Sequence, residues 1–289
     1  LGDATSHPFY LSDTGYEQIS SSDIEITGDG SPTSGIRGSQ SFTLTFNEDA
    51  DEINDLLYYC SSHSLMQGSI QIEVASGSIT SGVLTSENAQ ALLQQGTDVV
   101  IPEGITSIAD AAFADTQLTS VVIPESITSI GDNAFAQTQL TSVVIPEGVS
   151  SIGAFTFYNT QLSSVELPST LTSIGDSAFR NTPLTSVVIP EGVTSIGDQA
   201  FSTSLLTSVV IPEGVTSIGR GAFSDTRLTS VVIPEGVTSI GIDAFYSTPL
   251  TSVELPSTLT SIGYKTFART LLVSVFIRAG VTTLDDFTF

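Results

Sequence analysis

The 289-residue sequence predicts a β-rich solenoid of about nine 22-residue coils, preceded by a small α+β domain. Three observations carry this. Prolines recur at 102, 124, 146, 168, 190, 212, 234 and 256, each 22 residues after the last. Phenylalanines recur in phase with them, from Phe113 through Phe201 to Phe289, again in steps of 22. Residues 1–96 show no such period and instead alternate polar with apolar side chains in short runs.

One unit explains the period. In the stretch from Leu206 to Phe223, Leu206, Val209 and Ile211 have strand spacing, which sends Val209 and Ile211 inward and Ser208, Val210 and Pro212 outward. Val215 and Ile218 form a second inward pair, and Ala222 with Phe223 closes the coil. The "PEG" and "SIG" steps supply a fixed proline torsion and a glycine for the corners. No single coil can bury these side chains. Stacked coils can, because each column meets its own copy above and below. Each buried side chain contributes about 1.5–3 kcal/mol. The ninth unit carries Arg278 in the proline column and reaches Phe289 in mid-coil, an edge that would pair with another chain or further sequence.

The first 96 residues read as an α+β domain capping the solenoid, whose coils occupy 97–289. "SDIEITG", "SFTLTF" and "SIQIEV" read as half-buried strands. "NEDADEINDLLYYCSSHS" reads as a helix with acids in its first turn. "SENAQALLQQG" reads as a second helix, capped by Ser86, stopped by Gly96 and laid over the open apolar end of the first coil. "GDGSPTSG" is a loop within this domain. Cys60, the sole cysteine, rules out an internal disulfide and reads as a buried, inert thiol.

Charge narrows the partners. Seven Lys and Arg stand against 31 Asp and Glu, a net charge of −24. Such a surface repels phosphate backbones and anionic lipid, so nucleic acid is excluded as a partner. No apolar run reaches the ~20 residues that cross a bilayer, which excludes membrane insertion by a helix. The chain starts at Leu1 without a signal-peptide pattern, which fits a leader removed beforehand or left outside this sequence.

The repeated "LTSVVIPEGVTSIGDQAF" resembles the BspA-like (Treponema-type) leucine-rich repeat, whose hallmark is L-T-S-x-x-I-P, then V-T-S-I-G, then A-F. The resemblance covers residues 97–289. It implies a leucine-rich-repeat solenoid on secreted or cell-surface proteins that adhere to matrix proteins, to other cells or to each other, and it brings no catalytic residue. The units depart from the family's usual 23 residues and its Gly-Cys step after the phenylalanine. The variant "VELPSTLTSIG" occurs at Val165 and again at Val253, 88 residues apart, as duplication in blocks of four units would produce.

Function is sought on the outward columns. Val122, Val144, Glu166, Val188, Val210, Val232 and Glu254, flanked by Ser186, Ser208 and Ser230, would form a partly apolar strand face suited to docking a protein or glycan. The competing reading is that valine merely suits an exposed strand. A threonine column, Thr106 to Thr260, raises ice binding as a lesser alternative, against which stands its place beside turns. Glu191, Glu213 and Glu235 belong to a stacked acidic row that calcium would relieve, set against a solvated, screened edge. Calcium is thus the one cofactor to consider. Asp49, Asp51 and Asp55 lack the glycine and terminal glutamate of a calcium loop. His7 and His63 have no third partner for a triad or zinc site. Paired-carboxylate catalysis needs two distinct environments in one cleft, and identical columns provide none. The sequence therefore predicts a non-enzymatic adhesion or binding module, with end-to-end self-assembly through the open C-terminal coil as the structural alternative.

Overall fold

The computed structural model describes residues 82–277, 280–285 and 287–289 and, before them, the backbone of five strands. The chain parts into two compact units, Leu1–Val74 and Ala75–Phe289. In the first, β4 (Leu56–Cys60) lies between β1 (Phe9–Ser12) and β5 (Gln67–Ile70), antiparallel to both. A separate antiparallel pair joins β2 (Ile24–Gly28) to β3 (Phe42–Phe46), within the two runs expected to be strands. The helix expected around "LLYYC" is therefore corrected to a strand over its described residues. Consecutive Leu and Tyr side chains suit a pleated surface, and partners on both edges supply ladder bonds that override the helical spacing of the acids. The side chain of Cys60, residues 29–35 of the loop, Asp49, Asp51, Asp55, His7 and His63 lie outside the described residues.

The described part of the second unit opens with β6 (Gly82–Leu84) and α1 (Ser86–Leu93). Thr85, not Ser86, caps the helix: its Oγ1 accepts the amide of Asn88 at 3.3 Å. Ala89 is buried in the core, and Leu92 and Leu93, three and four residues further on, lie half-buried against it; Ala91 is buried as well. β6 adds a strand beside Ile105–Ile108, so strand and helix together continue the first edge of the stack.

Each coil contributes three segments to the stack. The first is the Ser-Val-Val strand, seen at Asp98–Val100, Ser120–Val122, Ser142–Val144, Ser164–Glu166, Ser230–Val232 and Ser252–Glu254. The second is the Ser-Ile pair. These pairs, with Thr283–Leu284 as the last, join with β6 into one ten-stranded parallel sheet. The coils stack in register, Ser173 on Ser195 and Ile174 on Ile196, for example, and a shift between Gly82 and Val83 marks only the entry of β6. Ten strands suffice to make this ladder, not the valine strands, the continuous spine. The third segment surrounds the phenylalanine. Phe113 to Phe289 form one column with ring centroids 5.3–5.6 Å apart and planes within 11° of parallel. Offset stacking adds about 0.5–1.5 kcal/mol per pair to the burial itself.

The third segment holds a device absent from the sequence reading. Residues two before and two after each phenylalanine take positive φ: Asn133 58° and Gln137 59° around Phe135, Ser177 54° and Asn181 57° around Phe179. The alternation turns every second amide toward the next coil. Asn133, Phe135 and Gln137 donate to the carbonyls of Ala154, Thr156 and Tyr158 at 2.8–2.9 Å. Left-handed backbone costs on the order of 1 kcal/mol per residue, and the inter-coil bonds offset it. Asn and Asp recur in these columns because they tolerate that conformation best.

Proline supplies another correction. Pro212 was expected outside but is buried, as are Pro124, Pro146, Pro168, Pro234 and Pro256. The carbonyl of Pro212 accepts the amide of Val215 at 3.1 Å, closing a turn that folds the ring under the corner.

Candidate interaction face

The valine strands alternate as their spacing demands. Val121, Val143, Val187 and Val231 are buried, while their successors point out: Val122 is 56% exposed, Val144 59%, Val188 83%, Val210 75% and Val232 59%. Ser186, Ser208 and Ser230 are exposed beside them, and Glu166 and Glu254 are exposed in the valine column itself. The strands pair only locally, Asp98–Val100 with Ser120–Val122, Ser142–Val144 with Ser164–Glu166 and Ser230–Val232 with Ser252–Glu254. Val188 and Val210 meet through an isolated parallel bridge. The structure places every residue of the anticipated face outward, the valines and glutamates in one column and the serines in the column beside it, on short two-stranded sheets and this bridge and not on the continuous sheet. In the ninth coil, Val273 and Phe276 are 95% and 81% exposed.

The threonine column runs beside the ten-stranded sheet and is exposed, but its hydroxyls point along the stack to the preceding coil. Thr194, Thr216, Thr238 and Thr260 each donate Oγ1 to the carbonyl of the threonine 22 residues earlier, at 3.0–3.3 Å. These bonds lock one coil to the next and withdraw the hydroxyl donors from any outside ligand.

The acidic row is more uneven than the sequence suggests. Glu147 accepts from the Ser169 amide at 3.0 and 3.1 Å and from Ser169 Oγ at 2.7 Å. These bonds, the backbone one first, hold its carboxyl below the usual glutamate range. Glu235 is met in the same way by Ser257, at 2.8 Å from the amide and 2.6 Å from Oγ. Serine replaces the corner acid in both "VELPST" coils and neutralises the repulsion there. Among the described residues, no three His, Cys, Asp or Glu side chains gather as a metal would require, and Glu191, Glu213 and Glu235 stay in file along the edge.

On the turn edge every described tyrosine carries a cation. The Arg180 guanidinium lies 5.9 Å from the Tyr158 ring centre, Arg269 lies 5.4 Å from Tyr246, and the Lys265 ammonium 4.9 Å from Tyr264. Sequence reasoning missed these pairs. For one of them the signal lay in the spacing of Tyr158 to Arg180, 22 residues apart in one column; Tyr246 and Arg269 are 23 apart and Tyr264 and Lys265 adjacent, which no repeat period marks. Among the described residues no helix is long and apolar enough to cross a membrane.

The sequence matches the model of the BspA type leucine rich repeat region over residues 87–206 and again over 194–289, with six copies. Among solved structures, a leucine-rich repeat protein from Bacteroides ovatus ATCC 8483 shares 31% identity with a TM-score of 0.59; the match covers 64% of this chain and 52% of that one. A leucine rich cell surface protein from Faecalibacterium prausnitzii A2-165 also shares 31% identity, with a TM-score of 0.43, over 64% of this chain and 61% of that one. The chain therefore spans about half to three fifths of these relatives' length. No curated protein matches it. With the repeat model matched across most of the chain and coils stacked in register throughout, the protein belongs to the BspA type leucine-rich repeat family.

Proposed function

We propose that the protein is a non-enzymatic binding module, secreted or displayed at a cell surface, that adheres to a protein or glycan through its valine row. The observation that carries this reading is the repeated choice of an exposed valine between exposed polar neighbours, at 56–83% exposure from Val122 to Val232. Valine also suits an exposed strand, but an apolar strip rimmed by serine and glutamate resembles the buried core and polar rim of a protein interface. Family membership supports a binding role, and the stacked, identical coils supply no cleft with distinct environments for acid and base.

The test is the triple variant Val188→Asp, Val210→Asp, Val232→Asp. Surface plasmon resonance against a panel of purified matrix proteins and glycans should show a partner for the native chain and at least tenfold weaker binding for the variant, with an unchanged circular dichroism spectrum. Equal binding by the two proteins would remove the valine row from the function.

A further inference from the structure

Two coils break the valine row, and they break it in the same way. Glu166 and Glu254 stand where other coils carry Val122, Val144, Val188, Val210 and Val232, and both are exposed. In those coils the corner acid is absent, replaced by Ser169 and Ser257, whose amides and hydroxyls engage the preceding corner carboxylates Glu147 and Glu235. The acid has in effect moved from the corner to the centre of the face. Among the described residues, the side chains of Glu166 and Glu254 meet no hydrogen-bond donor or cation. No Lys or Arg occupies the three strand positions of any described coil, and the chain carries a net charge of −24.

The spacing is fixed by the stack. Glu166 and Glu254 are 88 residues apart, which is four coils. The phenylalanine column advances 5.3–5.5 Å per coil between Phe157 and Phe245. The two carboxylates therefore stand about 20 Å apart, with three exposed valines between them. An extended segment rises about 3.3 Å per residue and puts alternate side chains on one face, so six residues span the same ~20 Å. A cationic side chain at each end would meet one carboxylate. Two apolar side chains between them, at the alternate positions, would lie on Val188, Val210 and Val232.

We propose, resting on the valine row being the binding face, that its partner is an extended, basic and apolar polypeptide segment. In that segment two Lys or Arg are six residues apart on the side that carries two apolar side chains. The four-coil duplication sets the ruler, and the acids select the charge. Charge complementarity decides the class of partner: an acidic segment or an anionic glycan would bring like charges onto Glu166 and Glu254.

The experiment uses two dye-labelled synthetic peptides of identical composition and fluorescence anisotropy on the full chain. One alternates threonine with lysine, valine, valine, lysine. Its isomer alternates threonine with valine, lysine, lysine, valine, so its lysines are only two residues apart. The native chain should bind the first about fivefold tighter, the worth of two exposed ion pairs, and raised salt should shrink the gap. The double variant E166Q/E254Q should bind both alike. Equal affinities on the native chain, a preference that survives in E166Q/E254Q, or no binding of either peptide would each overturn the proposal. The valine triple variant is read separately against matrix partners: its loss of binding alongside equal peptide affinities would keep the face and discard the cation spacing.

Discussion

Substitution of Gly219 by alanine probes how closely the coils approach. Gly219 does not take positive φ, so alanine is conformationally allowed there. On backbone entropy alone the change should stabilise by about 0.4–1 kcal/mol. Packing reverses the sign. A Cβ at Gly219 would come 2.5 Å from the Gly197 carbonyl carbon and 2.7 Å from both the Asp198 nitrogen and the Gly197 oxygen. All three are backbone atoms and none can rotate away, so the coils must part by roughly 1 Å to reach the ~3.5 Å of ordinary contact. That separation stretches the bonds from Gly219 to the Ile196 carbonyl, now 2.9 Å, from Thr216 to Thr194, 3.0 Å, and from Arg220 to Asp198 Oδ1, 2.7 Å. Three weakened bonds at about 1 kcal/mol each outweigh the entropic gain and leave a loss of about 2 kcal/mol. Urea denaturation followed by circular dichroism measures it. Gly214→Ala is the milder comparison, since its Cβ would meet two carbonyl oxygens at 3.2 and 3.3 Å. A Gly219→Ala protein as stable as the native one, or more so, would refute the argument.

Two other sites have outcomes of definite sign. Ser204 Oγ is buried without a hydrogen-bond partner, whereas threonines in the same column of neighbouring coils donate to the phenylalanine carbonyl three residues back, as Thr182 and Thr226 do at 2.9 Å. Ser204→Thr should therefore raise stability by about 1 kcal/mol in urea titrations, and a loss would show that the column does not depend on this bond. Glu147 has its folded pKa lowered by Ser169, so its contribution is present above the ordinary glutamate range and is lost as pH falls through the folded value. Thermal melts of Glu147→Gln should accordingly lie below the native chain at neutral pH and converge with it in acid. A gap independent of pH would contradict the sign.

The legible part of the fold was the part that repeats. Phe113 through Phe289 and the isoleucines of the Ser-Ile pairs announce their columns because burial between copies tolerates one side chain only. The left-handed positions around each phenylalanine were hidden, since Asn133, Ser177, Gln199, Asp243 and even Phe155 fill a column that backbone conformation, not side-chain type, defines. The strand at Leu56–Cys60 was misread because one sequence copy offers no register to arbitrate between helical and strand spacing. On the surface, the exposed valines followed directly from alternation. The pairing of Glu147 with Ser169 did not, because it joins two coils through a substitution that appears in only one of them.

The central claim is that one outward row, and not the acidic, stacked exterior as a whole, meets the partner. The most direct measurement compares two triple variants of equal net charge on the same matrix partner: Val188, Val210 and Val232 to Asp, and Thr194, Thr216 and Thr238 to Asp beside the ten-stranded sheet. The account predicts that, with both proteins still folded, binding falls at least tenfold in the valine variant and changes less than twofold in the threonine variant. Equal losses in the two, or a greater loss from the threonine column, would contradict it.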